Sequence, residues 1–184
     1  MKLMMLDLDG TLFDTRMVNY LAYQDAIRPY GYRIDYRYYC EFCNGRHYLD
    51  FLPQITTTDH MILSDMHRRK TYAYGKYLNN ATVNWTLVDI VKLCRPKYKI
   101  ALVTTASKQN TYDILKRFNL VDLFDLILTH DDVKNSKPDP EGYLKAMDYF
   151  GCSGEEAVVF EDSDVGVEAA ERAGVKVYVV RGFN

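Results

Sequence analysis

The sequence predicts an α/β fold in which a doubly wound, parallel five-stranded sheet carries an inserted all-helical segment. Five short apolar segments rich in Val, Ile and Leu have the length of buried strands, and amphipathic stretches separate the later ones. This alternation is typical of a parallel sheet with helices on both faces. The strands are expected at Leu3–Leu8, Ile100–Val103, Leu126–Leu128, Val158–Phe160 and Val175–Val180.

Capping residues place the helices between the later strands. Ser107 is suited to begin a helix that runs to about Phe118. The segment Asp139-Pro140-Glu141 has the order of an N-cap, a first-turn proline and a first-turn acid. Asp164 is expected to cap a further helix that ends at Gly174.

The segment between the first two strands has a different character. It contains no convincing buried strand, and its tyrosine-rich helical blocks favour packing between helices. We therefore predict two domains: an α/β core of residues 1–14 and 83–184, and a helical cap of residues 15–82. The helical blocks are expected at Met17–Pro29, Tyr36–Leu52 and His60–Leu78.

Composition excludes several classes of protein. The chain has 184 residues, is 48% hydrophobic and carries a net charge of −2, so it has the apolar content for a core and no basic field for nucleic acid. No apolar run approaches the ~18 residues of a membrane span, and no segment has the form of a signal peptide. We expect a cytoplasmic monomer that binds a small molecule, with neither nucleic acid nor membrane as partner.

Polar side chains gather at or after the carboxyl ends of four of the five predicted strands. Ligands of an open parallel sheet bind at the carboxyl ends of its strands, so these residues are expected to meet in one crevice. In order along the chain they are Asp7 and Asp9, Thr104 and Thr105, Lys137, and Glu161 and Asp162.

The acids in this set point to a hard cation. Asp7 and Asp9 are two residues apart and project to the same side of an extended strand, and Gly10 allows a sharp turn after them. Crowded carboxylates either raise a pKa or recruit a cation, and Asp162 and Glu161 add to the crowding. Ligands that are all oxygen suit Mg²⁺ better than zinc.

These residues stand in four motifs that resemble those of the haloacid dehalogenase-like hydrolase superfamily. The motifs occur in the family's order: Asp7–Asp14 matches DxDGTLxD, Ile100–Thr104 is an apolar strand ending in Thr, Ser136–Pro140 contains Lys137, and Phe160–Gly166 contains Glu161-Asp162. The resemblance implies a Rossmann-like core. The helical insert resembles the cap of phosphoglycolate phosphatase-like and β-phosphoglucomutase-like members.

The resemblance also implies roles for the residues. Asp7 would attack phosphorus and form an aspartyl-phosphate, and Asp9 would act as the general acid and base. Thr104 would hold a phosphoryl oxygen, with the Thr105 backbone amide as a helper. Lys137 would offset the negative charge.

The same resemblance implies a magnesium site. The ion would be held by Asp7, the backbone carbonyl of Asp9, and Asp162. Glu161 would orient these ligands from outside rather than contact the ion. Gly10, next to the acids, would lie against the substrate.

Two features of the insert leave alternatives open. Arg46 and His47 follow Gly45, near the place where capped relatives have a substrate-specificity loop, but a solvated turn explains them equally well. Cys40 and Cys43, followed by His47, have the spacing of half a zinc site, for which helix packing is the favoured explanation.

The motifs together predict a Mg²⁺-dependent phosphohydrolase that cleaves a small phosphate monoester. The acids at Asp9 and Asp162 argue against dehalogenation. A β-phosphoglucomutase-like phosphomutase shares every core residue named above. A phosphonate hydrolase would need a cap lysine such as Lys70 or Lys76, and a non-catalytic binding module would not need the complete set of acids.

Overall fold

The computed structural model describes residues 2–183, which form two compact units. The core unit comprises residues 2–14 and 82–183, and the helical unit comprises residues 15–81. Within 2–183, no helix has both the length and the apolar character needed to cross a bilayer.

The core unit is built on a five-stranded parallel sheet with the order β5-β4-β1-β6-β7, which confirms the predicted fold class. A separate pair of short antiparallel strands, β2 and β3, flanks the point where the chain leaves for the helical unit and returns. The strands are β1 (Lys2–Leu6), β2 (Phe13–Asp14), β3 (Thr82–Val83), β4 (Tyr98–Val103), β5 (Leu126–Leu128), β6 (Ala157–Glu161) and β7 (Lys176–Val179).

The central strand β1 is buried on both faces. Leu3 and Met5 belong to an apolar cluster that also contains residues of the helices after β5 and β6. Met4 and Leu6 point to the opposite face and are buried as well. Because the chain crosses first to β4 and β5 and then returns to the other side of β1, the carboxyl end of β1 lies at the topological switch point.

The helices fall into two groups, four in each unit. Those of the helical unit are α1 (Arg16–Ile27), α2 (Tyr36–Tyr38), α3 (Tyr48–Ile55) and α4 (His60–Tyr74). Those of the core unit are α5 (Trp85–Cys94), α6 (Lys108–Arg117), α7 (Glu141–Phe150) and α8 (Asp164–Arg172). Single turns of 3-10 helix occupy Arg28–Tyr30, Val121–Leu123, His130–Asp132 and Gly154–Glu156, and a longer one spans Gly75–Asn80.

Two predicted helix starts are shifted by one residue. Pro140 is the N-cap residue of α7, while the Asp139 carboxylate accepts a hydrogen bond from the Glu141 amide at 3.0 Å. Ser163, rather than Asp164, caps α8 and accepts from the Gly166 amide. Proline has no side-chain acceptor, so in α7 the preceding Asp139 bonds an amide of the first turn, whereas in α8 the N-cap Ser163 does so itself.

The predicted block Tyr36–Leu52 is two helical pieces. α2 runs into a π-helical turn at Tyr39–Cys43, and the chain then reverses at Gly45, which has a φ of 77°. His47 caps α3, its Nδ1 accepting from the Leu49 amide at 3.4 Å. Only a residue that tolerates a left-handed φ fits at the reversal, which explains the break.

The interior of the helical unit combines aromatic and aliphatic side chains. α1 packs against α4, and Tyr23 and Tyr39 are buried among the aliphatic side chains of this core. The Tyr23 and Phe51 rings meet edge to face with centroids 5.1 Å apart. These tyrosines therefore pack between helices, as predicted.

The half zinc site of the sequence gains no support from the geometry. Cys43 is buried within this apolar core, and Cys40 is partly buried and packs against it. Across residues 2–183, the one group of three or more His, Cys, Asp or Glu side chains close enough to share an ion contains neither cysteine.

Candidate active site

The nucleophile candidate Asp7 comes directly after β1 and is held by the neighbouring strand. Its amide donates to the Phe160 carbonyl at 3.0 Å, and its side chain is buried. The chain then turns at Gly10, whose φ is 92°. A Cβ on Gly10 would lie 2.0 Å from Oδ2 of Asp162, so glycine is required both for the turn and for the approach of this acid.

Lys137 reaches Asp7 across 130 residues of sequence. Its Nζ lies 2.6 Å from Asp7 Oδ1 and 3.4 Å from Glu161 Oε1, and its side chain is only 7% exposed. Two contacts hold the loop that carries it. The Glu141 carboxylate accepts from two backbone amides just before Lys137, and Arg172 Nη1 donates to the Pro138 carbonyl at 3.0 Å.

Glu161 ends β6 and Asp162 follows it, and the two acids lie in different environments. Glu161 is fully buried, and its carboxylate accepts from the Asp162 amide at 3.0 Å and from Ser163 Oγ at 2.8 Å. Asp162 is partly exposed, and its Oδ1 accepts from Thr11 Oγ1 at 2.9 Å. Glu161 is therefore tied to the protein, whereas Asp162 keeps one oxygen without a described hydrogen bond.

Three carboxylates face one ammonium in this pocket. Asp7, Glu161 and Asp162 each offer an oxygen within 4.8 Å of the others. Burial and the Glu161 charge raise the pKa of Asp7 well above its usual range, and burial raises the pKa of Asp162 to about 6. Burial is the largest cause of both shifts, and the charge of Glu161 adds to it in each case.

The ammonium of Lys137 is kept charged by the same acids. Burial works against its charge, but the Asp7 carboxylate, with help from Glu161, outweighs burial and raises the pKa of Lys137. The residue is therefore a permanent cation beside the nucleophile.

Thr104 and Thr105 follow β4 and differ in exposure. Thr104 is buried, its amide donates to the Leu128 carbonyl, and its Oγ1 accepts from the Ala106 amide at 3.0 Å. The hydroxyl hydrogen of Thr104 is thus directed away from Ala106 and can be donated. Thr105 is exposed.

The remaining predicted site residues lie outside the cluster of three acids. Asp9 is partly exposed, and its charge is one of the causes that raise the pKa of Asp162. The group of acids that can share an ion does not include its side chain. Arg46 and His47 are exposed residues of the helical unit.

Four residues of the site were not singled out from the sequence. Thr11 and Ser163 bond the acids Asp162 and Glu161, and both stand inside motifs, next to a residue that was selected. Gly166 lies against Glu161, because a Cβ there would come within 1.4 Å of Glu161 Oε1. The fourth, Tyr143, has no local signal, since it approaches Lys137 only in the folded chain.

Known proteins resemble this chain in sequence and in fold. The family model "Haloacid dehalogenase-like hydrolase" matches residues 4–180. The chain is 32% identical to a phosphorylated carbohydrates phosphatase of Thermotoga maritima, covering 100% of this chain and 88% of the relative. It is 30% identical to the fructose-1-phosphate phosphatase YqaB of Escherichia coli, covering 95% and 94%.

A solved structure matches as well. The crystal structure of CbbY from Rhodobacter sphaeroides in complex with phosphate superposes with a TM-score of 0.86 at 25% identity, covering 99% of this chain and 87% of that one.

The chain belongs to the haloacid dehalogenase-like hydrolase family. The resemblance inferred from the four motifs is confirmed, and so is the predicted enzyme class, a phosphatase of this family.

Proposed function

We propose that this enzyme hydrolyses small phosphate monoesters through an aspartyl-phosphate on Asp7. The observation that carries the proposal is the buried contact of 2.6 Å between Lys137 Nζ and Asp7 Oδ1 at the carboxyl end of the central strand. A carboxylate that attacks an anionic phosphate needs a fixed cation beside it, because the two reactants otherwise repel.

In the first half of the reaction, a carboxylate oxygen of Asp7 forms a bond to phosphorus and the bond from phosphorus to the leaving oxygen breaks. Asp9 donates a proton to that oxygen, so the product leaves as an alcohol. Lys137 offsets charge on the attacking carboxylate and the phosphoryl oxygens, and the Thr104 hydroxyl donates to one of them. General acid help of this kind is typically worth ~10²–10⁴ in rate.

In the second half, water attacks the phosphorus of the aspartyl-phosphate. Asp9, now ionised, takes a proton from this water. The bond from phosphorus to the Asp7 oxygen breaks, inorganic phosphate leaves, and the carboxylate of Asp7 is restored.

The residues present fit a magnesium ion. Asp7 and Asp162 supply carboxylate oxygens within reach of one another, three carboxylates face the single ammonium of Lys137, and the donors are all oxygen. We propose that Asp7, Asp162 and the backbone carbonyl of Asp9 hold the ion. The hydrogen bonds of Glu161 to Ser163 and to the Asp162 amide suit an orienting role. When bound, Mg²⁺ supplies charge neutralisation at the phosphoryl oxygens.

The helical unit is proposed to act as a cap that selects the substrate. The named relatives act on phosphorylated carbohydrates and on fructose 1-phosphate, so phosphorylated sugars are the first class to test. Arg46 and His47 are proposed to contact the leaving group, since both are exposed and Arg46 brings a cation to an anionic ester.

The test is a phosphate-release screen over sugar phosphates, phosphoglycolate, pyrophosphate and an aryl phosphate. We expect turnover with Mg²⁺, its loss with chelator, and its loss in Asp7→Asn. Asp113→Asn, at a partly exposed residue of α6, is the charge-matched control. Equal inactivity of wild type and Asp7→Asn across the panel would support the binding-module alternative.

The same samples separate the remaining alternatives. A phosphomutase would isomerise a sugar phosphate without releasing phosphate. A phosphonate hydrolase would be inactivated by borohydride in the presence of an aldehyde substrate, because the reduced imine would stay attached to Lys70 or Lys76. We expect phosphate release and no such modification of either lysine.

A further inference from the structure

Tyr143 is a buried aromatic residue beside the catalytic lysine. It lies in the first turns of α7, is 1% exposed, and belongs to the apolar cluster beneath the sheet. The ammonium of Lys137 stands over its ring, 5.1 Å from the centroid. This distance is within the ~6 Å at which a cation is attracted to an aromatic face.

The surroundings of Lys137 show why such a contact matters. Its Nζ is 2.6 Å from Asp7 and 3.4 Å from Glu161, so two carboxylates compete for one ammonium. A small displacement of the lysine would bring its ammonium closer to Glu161 than to the nucleophile Asp7. A further contact is therefore needed to hold the ammonium closer to Asp7 than to Glu161.

The ring face of Tyr143 can do this, because the ammonium stands over it. The hydroxyl oxygen is buried and makes no hydrogen bond of normal geometry to a described residue, but it lies close enough to Lys137 for each group to shift the pKa of the other. Tyr143→Phe removes the hydroxyl alone and therefore separates its contribution from that of the ring. The face of the ring supplies a large, rigid surface in a desolvated site, where a cation–π contact is strongest. The ring is itself immobilised by the packing of α7 against β1, β4 and β5.

We propose that Tyr143 is a positioning residue, whose aromatic face seats the Lys137 ammonium against Asp7. The inference rests on the proposed function of Lys137 and Asp7 but concerns a residue without any contact to the reacting atoms. An aliphatic side chain of similar bulk at position 143 would fill the same space but would not attract the ammonium.

The kinetic test compares Tyr143→Phe with Tyr143→Leu on an aryl phosphate with Mg²⁺. Phe keeps the ring face and is expected to restore kcat to within about threefold of wild type, whereas Leu lowers kcat by about 10- to 100-fold. KM stays within about threefold in both, because the lysine acts on charge that develops during the reaction.

A matched control separates positioning from stability. Met147→Ala removes a buried side chain one turn later in the same helix and cluster. It is expected to lower Tm at least as much as Tyr143→Leu while it keeps the kcat of wild type. Equal kcat values for Tyr143→Leu and Met147→Ala would overturn the proposal, and so would an equal loss of kcat in Tyr143→Phe and Tyr143→Leu.

A second measurement does not depend on activity. In a ¹H–¹⁵N spectrum of lysine ammonium groups, the Lys137 signal is identified by its absence in Lys137→Met. We expect an upfield ring-current shift of this signal in wild type and Tyr143→Phe that disappears in Tyr143→Leu. Identical shifts in all three would overturn the proposal. If wild type hydrolyses no phosphate ester, the proposed function fails, yet this spectrum still decides whether Tyr143 seats Lys137.

Discussion

Two buried lysines, one in each unit, have contrasting neighbours. In the core unit, Lys137 contacts the carboxylates of Asp7 and Glu161. In the helical unit, Lys70 is 9% exposed and its Nζ stands over two rings, 5.2 Å from the centroid of Tyr23 and 5.1 Å from that of Tyr74.

The difference extends to the polar contacts of each unit. In the core unit, buried polar groups are joined across distant segments, as in the bond from Thr11 to Asp162. In the helical unit, ion pairs such as Arg37 with Glu41 and Lys76 with Asp25 lie at the surface, and the interior combines aromatic and aliphatic side chains. A site built from buried charges loses its chemistry when one member is removed, whereas an aromatic core with exposed ion pairs is expected to lose mainly stability.

The largest expected effect comes from removing the two ammonium groups in turn. Lys137→Met should lower kcat on an aryl phosphate by about 10²–10³-fold, as loss of one charge-stabilising donor does in other enzymes. Lys70→Met should keep kcat within about threefold and lower the free energy of unfolding by about 1–2 kcal/mol through lost cation–π contacts. Steady-state kinetics and denaturant unfolding measure the pair. Similar kcat losses in the two variants would contradict this difference between the lysines and would show that the Lys70 ammonium takes part in the reaction.

The next effect tests how tightly Glu161 is held. Gly166→Ala should displace the Glu161 carboxylate, lower the free energy of unfolding by about 2 kcal/mol and lower kcat by about tenfold. Gly142→Ala is the matched control, since its Cβ would meet a methyl of Val103 at 2.8 Å and not a carboxylate. We expect a comparable fall in Tm with kcat largely retained. Retained kcat in Gly166→Ala would show that the position of Glu161 is unimportant.

A smaller effect is expected on the pH dependence of stability when no Mg²⁺ is bound to the acids. The pKa of Asp162 is raised to about 6, above its unfolded value of about 3.9, so the folded chain binds more protons than the unfolded chain between these values. The cation-free protein should therefore gain stability as pH falls from about 7 to about 5, and lose it as pH rises through about 6.

Thermal unfolding in chelator measures this slope of Tm against pH. Asp162→Asn should flatten it without abolishing it, because the pKa of Asp7 is raised in the same direction. Added Mg²⁺ should raise Tm most at neutral pH, where these carboxyls are ionised. Equal slopes for wild type and Asp162→Asn would contradict the shift of the Asp162 pKa.

The smallest effect is expected on the surface of the helical unit. Arg46→Ala should raise KM for the preferred sugar phosphate by about 3- to 10-fold and leave an aryl phosphate unaffected. Arg37→Ala is the control, as Arg37 is also exposed and pairs with Glu41. If both variants behave alike, Arg46 is an ordinary surface residue of its turn.

The sequence was most informative where one strand end fixes one side chain. Asp7, Thr104 and Asp162 directly follow β1, β4 and β6, and the parallel order of the sheet puts those ends together. Lys137 could be predicted from its motif, although it is carried by a loop that Glu141 and Arg172 hold in place. The motif predicted a position that depends on tertiary contacts, which hydrophobic periodicity does not indicate.

What could not be predicted depends on contacts between segments far apart in the chain. Tyr143 has the pattern of a buried helix residue, and only the folded chain puts its ring under Lys137. The missed break between α2 and α3 is an exception with a local cause, because Gly45 adopts a left-handed φ of 77°. Tertiary packing thus decided the position of Tyr143, whereas a single glycine decided the break.

The central claim is that Asp7 becomes covalently phosphorylated beside Lys137. The direct measurement is borohydride reduction of the enzyme quenched during turnover with Mg²⁺, followed by peptide mass spectrometry. We predict conversion of Asp7 to homoserine, dependent on substrate and absent in Asp7→Asn. Turnover with Asp7 unmodified, or conversion at another carboxylate, would contradict the mechanism.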